Sequence, residues 1–419
     1  MTTDTKSPRS FRKTAVALAA AVTLTGSGVA ATAANAARPG PPGDTLMLQV
    51  AQRVMAAGPP GYVARIDNGQ RVFTMAAGVA DRATGRPMRV RDQFEAGSNT
   101  KTFMAVLALQ LVDRGRLDLD APVSKYLPGV VPNGRNITVR MLLNHSSGLF
   151  SYTSDPDFFG NMNANPQHVY TEEELLAIAF EHEPNFAPGA GWSYSNTNYT
   201  LIGMILQKLT GKDLPDLVRQ RITGPLGLRH TYFADPRATN TGRGYAHGYA
   251  IEYASGTPAY TDTASWPIGG WGGAAGAMIS TADDLARFFS AVLGGELFSA
   301  EQLKQMKTTV PLPADFPFTG GYGLGLMKNE SPCGTVWGHG GDTMGHHSTA
   351  VTTEDGRRTA VTDATGEPND PDTNAGVERY YQVILFGADT VTTCRMLGKP
   401  VPADVLQNLR GITPAPSAE

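Results

Sequence analysis

The chain has 419 residues, which on length alone is enough for two or three domains. Hydrophobic residues make up 41% and charged residues 17%, so the composition excludes an intrinsically disordered chain. The formal net charge of −3 provides no basic surface, which argues against a nucleic-acid partner.

The N-terminal segment has the pattern of a cleavable signal peptide. Lysines and arginines are concentrated in residues 6–13, an apolar run of small residues extends from Thr14 to Ala31, and Ala34-Asn35-Ala36 is an A-x-A cleavage site. We therefore expect residues 1–36 to be removed and the mature protein to be secreted. No later run is apolar enough to cross a bilayer, so no membrane span is predicted after processing.

A mixture of helical and strand patterns follows. Residues 44–57 have the apolar spacing of a helix, and the strand-like runs Tyr62–Ile66 and Arg71–Met75 flank a hairpin turn at Asp67-Asn68-Gly69. A second helix is predicted to begin near Ser98. Helical patterns then dominate from Asp118 to about Leu293, separated by loops rich in glycine, proline and asparagine.

The C-terminal part returns to strand patterns and closes with an amphipathic helix at Asn374–Phe386. The predicted strands are Tyr322–Leu326, Thr335–Trp337, His347–Thr353 and Arg358–Asp363, with a hairpin turn at Asp355-Gly356.

This order of elements predicts an α+β fold, in which one antiparallel sheet is flanked by N- and C-terminal helices and carries an inserted all-helical domain. The sheet domain is expected to comprise residues 37–117 and 285–398. Residues 118–284 form the insertion, and residues 399–419 form a C-terminal tail, of which Gly411 to Glu419 is expected to be disordered. A cleft between two such domains is a natural place for a functional site.

The first chemical motif is Ser98-Asn99-Thr100-Lys101, which runs into the apolar helical segment Phe103–Leu107. A serine and a lysine three positions apart at a helix start share one face, so the amine can activate the hydroxyl as a nucleophile. The pattern is common by chance, however, and a helix-capping serine beside a solvated lysine is the structural alternative.

Two further motifs strengthen the first. Tyr194-Ser195-Asn196 precedes a predicted helix at Tyr199–Leu209, and its structural alternative is a helix cap beside a packing tyrosine. His339-Gly340-Gly341 lies on a glycine-bearing strand that would let a substrate backbone approach closely, and its alternative is a glycine-rich turn with an incidental histidine.

Ser98-x-x-Lys101, Tyr194-x-Asn196 and His339-x-Gly341, in this order, resemble the motifs of the penicillin-recognising serine hydrolases, the β-lactamase-related peptidase family S12. The chain is most similar to the secreted D-alanyl-D-alanine carboxypeptidases of actinomycetes, over nearly the whole mature length. Class C β-lactamases and D-amino-acid-specific aminopeptidases share that fold. The resemblance therefore implies a β-lactamase/transpeptidase-like fold.

The resemblance also implies a role for each motif residue. Ser98 would attack a carbonyl to form an acyl-enzyme, and Lys101 and Tyr194 would share the proton transfers, with the acylation base left open. His339 would hydrogen-bond toward Tyr194 and assist deacylation, and Asn196 would orient Lys101 and the substrate amide. The backbone N–H groups of Ser98 and Asp342 would form the oxyanion hole. The residues implied to line the substrate site are Asn196, Trp271, Phe158 or the adjacent Phe159, Gly340, Gly341, Asp342 and Lys328.

The chain departs from the carboxypeptidase pattern where a terminal carboxylate would bind. Met327 takes the place of an arginine, with Lys328 next to it, and Gly340 and Asp342 take the places of threonines. Arginine suits bidentate carboxylate capture, so its loss together with a new acid should disfavour a free C-terminal carboxylate.

Three functions therefore remain open: a D-alanyl-D-alanine carboxypeptidase-like enzyme acting on peptide or peptidoglycan-like substrates, a hydrolase of D-amino-acid amides, peptides or esters, and a non-catalytic penicillin-binding protein. Penicillins are expected to acylate Ser98 slowly or weakly, because the carboxylate pocket is altered.

The cysteines and histidines allow two further predictions, on a disulfide and on metal binding. In an exported protein Cys333 and Cys394 most simply form a disulfide, which the resemblance also implies, and two separate buried thiols are the alternative. His346 and His347 are adjacent on a predicted strand and would point to opposite faces, so no metal site is predicted. We expect no cofactor and a monomer.

Overall fold

The computed structural model describes residues 44–411 except residues 240, 241, 243, 254–256, 315, 318 and 370–373. The predicted signal peptide, residues 1–36, lies outside the described residues. The predicted fold class is confirmed, because one large antiparallel sheet is covered on both faces by helices.

Within the described residues, nine strands form the central sheet in the order β3-β2-β1-β14-β13-β12-β11-β10-β9. The first hairpin (β1 and β2) and the C-terminal strands meet where β1 pairs with β14, so both ends of the chain build one sheet. The strands are β1 Gly61–Asp67, β2 Val72–Asp81, β3 Arg86–Pro87, β4 Phe94–Gly97, β5 Tyr232–Phe233, β6 Tyr249–Glu252, β7 Ala259–Asp262, β8 Met278–Ser280, β9 Val310–Pro311, β10 Gly320–Tyr322, β11 Met327–Ser331, β12 Gly334–Asp342, β13 His347–Thr352, β14 Thr359–Ala364 and β15 Glu367–Pro368.

The two faces of the sheet are buried against different helices. Val336 and Trp337 are neighbours on β12, and because side chains alternate along a strand they enter separate apolar clusters. The Val336 face packs on the N- and C-terminal helices, and the Trp337 face packs on α2 and α11. No helix in the described part of the chain is long and apolar enough to cross a bilayer. The helices are α1 Thr45–Ala56, α2 Thr100–Asp113, α3 Val123–Tyr126, α4 Val139–Leu143, α5 Phe158–Ala164, α6 Glu172–Phe180, α7 Asn196–Thr210, α8 Leu214–Val218, α9 Gly224–Leu226, α10 Gly273–Gly276, α11 Ala282–Leu293, α12 Ala300–Lys307, α13 Ala375–Val383, α14 Asp389–Leu397 and α15 Ala403–Gly411.

The helix α2 lies in the middle of the larger apolar cluster. Every residue from Thr100 to Leu111 is buried, which is typical of a helix enclosed on all sides rather than of an amphipathic surface helix. Its Phe103 ring stacks on Phe288 of α11 with ring centroids 3.6 Å apart. The packing of α2 therefore fixes the start of the helix, where Ser98 and Lys101 lie.

Two predictions about the elements are corrected. Tyr322–Leu326 is not one strand: β10 ends at Tyr322, the chain turns at Gly323–Leu326, and β11 begins at Met327. The turn depends on glycines, because a Cβ on Gly323 would lie 2.0 Å from the Met306 carbonyl oxygen and Gly325 has a φ of +65°.

The insertion, residues 118–284, is not all-helical, because it contains β5 to β8. One of these strands, β8, pairs with β4 and so reaches the segment that leads to Ser98. Within the predicted tail, residues 399–419, the helix α15 packs Val405 and Leu409 against the sheet domain. Residues 412–419 lie outside the described part.

Cys333 and Cys394 form a disulfide, as predicted. The bond joins the β11–β12 turn to α14 across a sequence separation of 61 residues. It lies at the end of β12 opposite to His339-Gly340-Gly341, because Gly334 is the first residue of that strand and Asp342 the last.

Replacing both cysteines by alanine should lower the free energy of unfolding by about 2–4 kcal/mol, because the unfolded chain regains the entropy that a cross-link of this span removes. Urea denaturation of the double variant against the oxidised wild type measures this loss. Hydrolytic activity under native conditions should be unchanged, and a large loss of activity without loss of stability would contradict this placement of the disulfide.

Candidate active site

Ser98 and Lys101 lie at the junction between β4 and α2, and their side chains are in contact. The Lys101 Nζ atom is 2.9 Å from Ser98 Oγ and 2.8 Å from the carbonyl oxygen of Ala275. Lys101 has no exposed surface. The serine–amine contact proposed from the sequence is therefore present, and the alternative of a solvated lysine does not describe this residue.

Burial changes the acid–base properties of Lys101. Removal of the amine from water lowers its pKa well below the ordinary value, and the negative charge of Asp342 opposes this shift only in part. The partner opposite Ser98 is a neutral backbone carbonyl rather than a carboxylate. The amine is thus held where its neutral, proton-accepting form is favoured.

The carbonyl of Ala275 was not found from the sequence. It belongs to the short helix α10 in the glycine-rich segment that follows Trp271. Asn196, the residue expected to orient Lys101, instead donates its side-chain amide to Thr153 Oγ1 at 2.9 Å. Among the described residues the Lys101 amine is hydrogen-bonded to Ser98 and Ala275, and Asn196 is not one of its hydrogen-bond partners.

Tyr194 lies in the loop before α7, with its ring beside Lys101. The Lys101 Nζ atom is 4.8 Å from the centroid of the Tyr194 ring. The phenol oxygen is buried, and no hydrogen bond to it is formed among the described residues. Burial raises the pKa of Tyr194 well above its ordinary value, while the nearby Ser98 hydroxyl acts in the opposite direction. Tyr194 is therefore a phenol rather than a phenolate.

His339 was expected to hydrogen-bond toward Tyr194, but its hydrogen bonds are to other groups. Its Nε2 atom is 2.8 Å from the hydroxyl of Tyr322, and its Nδ1 atom is 2.5 Å from the Gly340 carbonyl oxygen. The centroids of the His339 and Tyr194 rings are 6.3 Å apart. Burial and the positive charge of Lys101 lower the pKa of His339 to about 3, so its imidazole is neutral.

The glycines after His339 allow β12 to press against the nucleophile segment. A Cβ on Gly341 would lie 2.0 Å from the Ala96 carbonyl oxygen, and a Cβ on Gly97 would lie 2.8 Å from the backbone nitrogen of Asp342. Side chains at these two positions would force the strand away from Ser98. The backbone N–H of Asp342 thus lies beside the turn that presents Ser98, as an oxyanion hole requires.

The carboxylate of Asp342 is anchored by a buried histidine. Asp342 Oδ1 accepts a hydrogen bond from His347 Nδ1 at 2.5 Å, and the Asp342 side chain is 63% exposed. His347 Nε2 lies 3.6 Å from Asp389 Oδ2, and Nδ1 lies 4.0 Å from Glu367 Oε2. Although burial alone would lower it, these acids, Asp342 foremost, raise the pKa of His347 well above its usual range.

Asp342, His347 and Glu367 place one potential ligand atom each within 4.8 Å of one another. These ligand atoms instead contact one another, because His347 forms an ion pair with Asp342 and lies near Glu367. Burial, and next the charge of Asp342, raise the pKa of Glu367 to about 8, so this carboxyl tends to be protonated at neutral pH. A protonated carboxyl and a protonated imidazole are poor metal ligands.

Of the aromatic residues predicted to line the substrate site, Trp271 and Phe159 are in contact with each other. Their ring centroids are 6.4 Å apart, and both side chains are partly exposed. Phe158 is 1% exposed and packs against Tyr152 and Tyr170 instead, so the structure places it in the core rather than on the cleft. Adjacent residues on a helix point about 100° apart, and the sequence pattern could not choose between the two phenylalanines.

Lys328 and Met327 lie on opposite faces of β11. Lys328 pairs with Trp337 and shares its face with His339, and its Nζ atom is 3.2 Å from Glu330 Oε1. Met327 pairs with Gly338 on the other face. The only cation that these two positions offer is therefore an amine already paired with a carboxylate, which is a weak substitute for a free guanidinium.

A serine in contact with a buried lysine amine, beside a tyrosine and against the end of β12, is the arrangement of a serine hydrolase with the β-lactamase fold. The chain belongs to the beta-lactamase family, because the family model described as Beta-lactamase matches residues 48–382.

Proteins of several activities resemble the chain. A solved D-stereospecific amidohydrolase from Streptomyces sp. is 40% identical, with a TM-score of 0.68, and is matched over 76% of this chain and 94% of that chain. A D-amino acid amidase from Ochrobactrum anthropi SV3 is 27% identical, with a TM-score of 0.69, over 83% of this chain and 99% of that chain. Penicillin-binding protein 4* of Bacillus subtilis is 27% identical over 78% of this chain and 72% of its own length.

The contact between β12 and β4 leads to a testable difference between two adjacent glycines. We expect Gly341→Ala to lower kcat/KM about a hundredfold or more, because its methyl group would displace the Asp342 N–H relative to Ser98. The matched variant is Gly340→Ala, whose added Cβ would meet nothing nearer than the Ser348 carbonyl oxygen at 3.9 Å. Hydrolysis kinetics and melting temperatures of both variants test the prediction, and equal losses would contradict it.

Proposed function

We propose that the protein is a serine amidohydrolase that cleaves amides and peptides of D-amino acids through an acyl-enzyme on Ser98. The observation that carries the chemistry is the 2.9 Å contact between Ser98 Oγ and a buried Lys101 amine of lowered pKa. The choice of substrate is supported by the 40% identity to the Streptomyces D-stereospecific amidohydrolase over nearly all of its length.

In the proposed acylation step, neutral Lys101 removes the proton from Ser98 as the serine oxygen bonds to the substrate carbonyl carbon. Negative charge then develops on the carbonyl oxygen, which the N–H groups of Ser98 and Asp342 stabilise. The directions of the two pKa shifts favour this assignment, because a phenol of raised pKa is a poor base while an amine of lowered pKa is a good one at neutral pH.

Tyr194 completes the proton transfers. Its phenol donates a proton to the leaving nitrogen as the carbon–nitrogen bond breaks, and the ammonium of Lys101 returns that proton to the phenolate. Deacylation reverses these transfers, with water in the place of the leaving amine. His339 is neutral and holds Tyr322, which lies beside Tyr194, so its role is to support the tyrosine rather than to carry the proton.

The charges near the part of the site that would hold the leaving group distinguish an amidohydrolase from a carboxypeptidase. Asp342 presents an exposed carboxylate beside the proposed oxyanion hole, and the only nearby cation of β11, Lys328, is paired with Glu330. A terminal carboxylate on the leaving group would be repelled there, whereas a carboxamide or an anilide would not. A carboxypeptidase-like activity remains the alternative, and it requires the opposite preference.

Export is proposed on the N-terminal sequence pattern and on the Cys333–Cys394 disulfide, which persists in oxidising compartments. Ser98, Lys101, Tyr194 and Asp342 all come from one chain, so the proposed reaction can proceed in a monomer.

The function is tested by comparing four substrates: D-alanine anilide with a free amine, its L enantiomer, a peptide ending in D-Ala-D-Ala, and that peptide's C-terminal amide. We expect the D anilide to be preferred to the L anilide and the peptide amide to the free acid. Ser98→Ala should lower every rate about a thousandfold or more, because the nucleophile is lost. Unchanged hydrolysis by Ser98→Ala would support a non-catalytic penicillin-binding role instead.

Asp342→Asn should shift the preference toward the free acid. Removing the charge abolishes repulsion of a terminal carboxylate while keeping the backbone N–H, so we expect the ratio of amide to free-acid hydrolysis to fall about fivefold to tenfold. Glu354→Gln is the matched control, because it also removes one carboxylate from the sheet domain, but beyond the end of β13 that is opposite to His347 and the oxyanion segment. A ratio that is unchanged by Asp342→Asn would remove the argument against a carboxypeptidase.

The pH dependence of kcat/KM should report Lys101. Because the neutral amine is the active form, activity should be lost as pH falls through the lowered pKa of Lys101. The charge of Asp342 raises that pKa, so Asp342→Asn should move the acid limb of the profile to lower pH. Profiles of the two proteins with the same anilide measure the shift, and a shift to higher pH would assign the acid limb to another group.

A further inference from the structure

We propose that His145, which the motifs did not reveal, is a positioning residue that fixes Tyr194 over Lys101. The inference rests on the proposed function, in which Tyr194 carries the proton to the leaving nitrogen. His145 follows the C-terminus of α4 and has no exposed surface.

His145 accepts two hydrogen bonds, one from each of the residues on either side of Tyr194. The backbone N–H of Ser193 donates to the carbonyl oxygen of His145 at 3.1 Å. The backbone N–H of Ser195 donates to the imidazole Nδ1 of His145, also at 3.1 Å. The loop that carries the tyrosine is therefore clamped by one residue at two points, and rotation of that loop would break both bonds.

The tautomer of the imidazole follows from its neighbours. Asn198 Oδ1 accepts a hydrogen bond from the Ser147 hydroxyl, with 2.6 Å between the two oxygens. This orients the Asn198 amide so that its Nδ2 lies 3.2 Å from His145 Nδ1. Two donors, the Ser195 N–H and this amide, converge on Nδ1, so Nδ1 is the acceptor and the ring proton lies on Nε2. Burial lowers the pKa of His145 well below its ordinary value and keeps the ring neutral.

The imidazole ring also packs directly behind the phenol. Its centroid lies 4.3 Å from the Tyr194 ring, and it meets the Tyr322 ring edge-on at 4.7 Å. The Nε2 atom is buried without a hydrogen-bond partner among the described residues. A buried N–H thus lies among aromatic rings, where it gains little by itself, and the imidazole occupies the space on the side of Tyr194 that it packs against.

The backbone at His145 is in an uncommon conformation. Its φ is +64°, in the left-handed region that few residues other than glycine adopt, although asparagine, aspartate and histidine adopt it more often than the rest. Such a conformation persists only when its surroundings determine it, and it is concentrated at functional sites. Glycine would adopt this backbone conformation without steric cost, whereas histidine also supplies the Nδ1 acceptor for Ser195 and the ring behind Tyr194.

Three variants separate the two contributions of His145. His145→Asn keeps an acceptor oxygen on the same Cγ atom and tolerates the left-handed backbone, but removes the ring behind Tyr194. His145→Ala removes both. Asn198→Ala leaves the histidine in place and removes the amide that orients it. Leu142→Ala, a core substitution in the preceding helix, is the control for lost stability alone.

The measurement is the single-turnover acylation rate for D-alanine anilide and for an activated phenyl ester of D-alanine. The anilide needs a proton from Tyr194 at its leaving nitrogen, whereas the phenolate leaving group of the ester does not. We expect His145→Ala to slow acylation by the anilide about tenfold to a hundredfold and by the ester less than about threefold. His145→Asn should lie between His145→Ala and the wild type, and Asn198→Ala should have a smaller effect of the same kind.

Equal losses for both substrates, or no loss for either in a folded variant, would overturn the inference, as would a Leu142→Ala variant with the same change in ratio. If His145→Ala does not fold, the Asn198→Ala ratio decides. The Tyr194→Phe variant separates this inference from the proposed function. If Tyr194→Phe does not slow acylation by the anilide more than acylation by the ester, the proton assignment to Tyr194 is wrong. If Tyr194→Phe slows the anilide selectively but the His145 variants do not, only the positioning role of His145 is refuted.

Discussion

Burial of the Lys101 amine is the constraint on which the rest of the site depends. A charged ammonium group without a carboxylate partner is costly to remove from water, so the protein favours the neutral form and thereby gains a base. Holding that amine requires a helix, α2, enclosed on every side, and an acceptor that adds no charge, the Ala275 carbonyl. In the proposed mechanism, the same enclosure that stabilises the core makes Ser98 reactive.

The topology explains how distant segments supply one cleft. Ser98 and Lys101 come from the sheet domain, Tyr194 and Ala275 from the insertion, and Asp342 from the last residue of a central strand. The strand β8 pairs with β4 immediately before the nucleophile, so the insertion is fastened to the sheet at the point where its groups are needed. Clamping by His145 then continues this support outward to Tyr194.

Side-chain chemistry was predictable from the sequence, and backbone geometry was not. Ser98, Lys101 and Tyr194 were identified because each requires a particular side chain, and the hairpin at Asp67-Asn68-Gly69 because it requires a particular turn residue. The Ala275 carbonyl is present in any residue and so leaves no signature. The partner of His339 could not be predicted, because Tyr322 was assigned to a longer strand that in fact turns at its glycines.

The Asp342–His347 ion pair lies beside the proposed oxyanion hole, so the charge that would recognise the substrate is held apart from the nucleophile. Asp342 stays ionised although it touches the protein interior, because protonated His347 is held between it and Asp389, while Glu367 keeps its proton. Moving a proton among these groups would change the field at the leaving-group side without altering the contact of Lys101 with Ser98. A family that keeps the serine–lysine pair and varies this strand end can therefore change what it cleaves, because the nucleophile and the recognition charge are stabilised by different faces of the sheet.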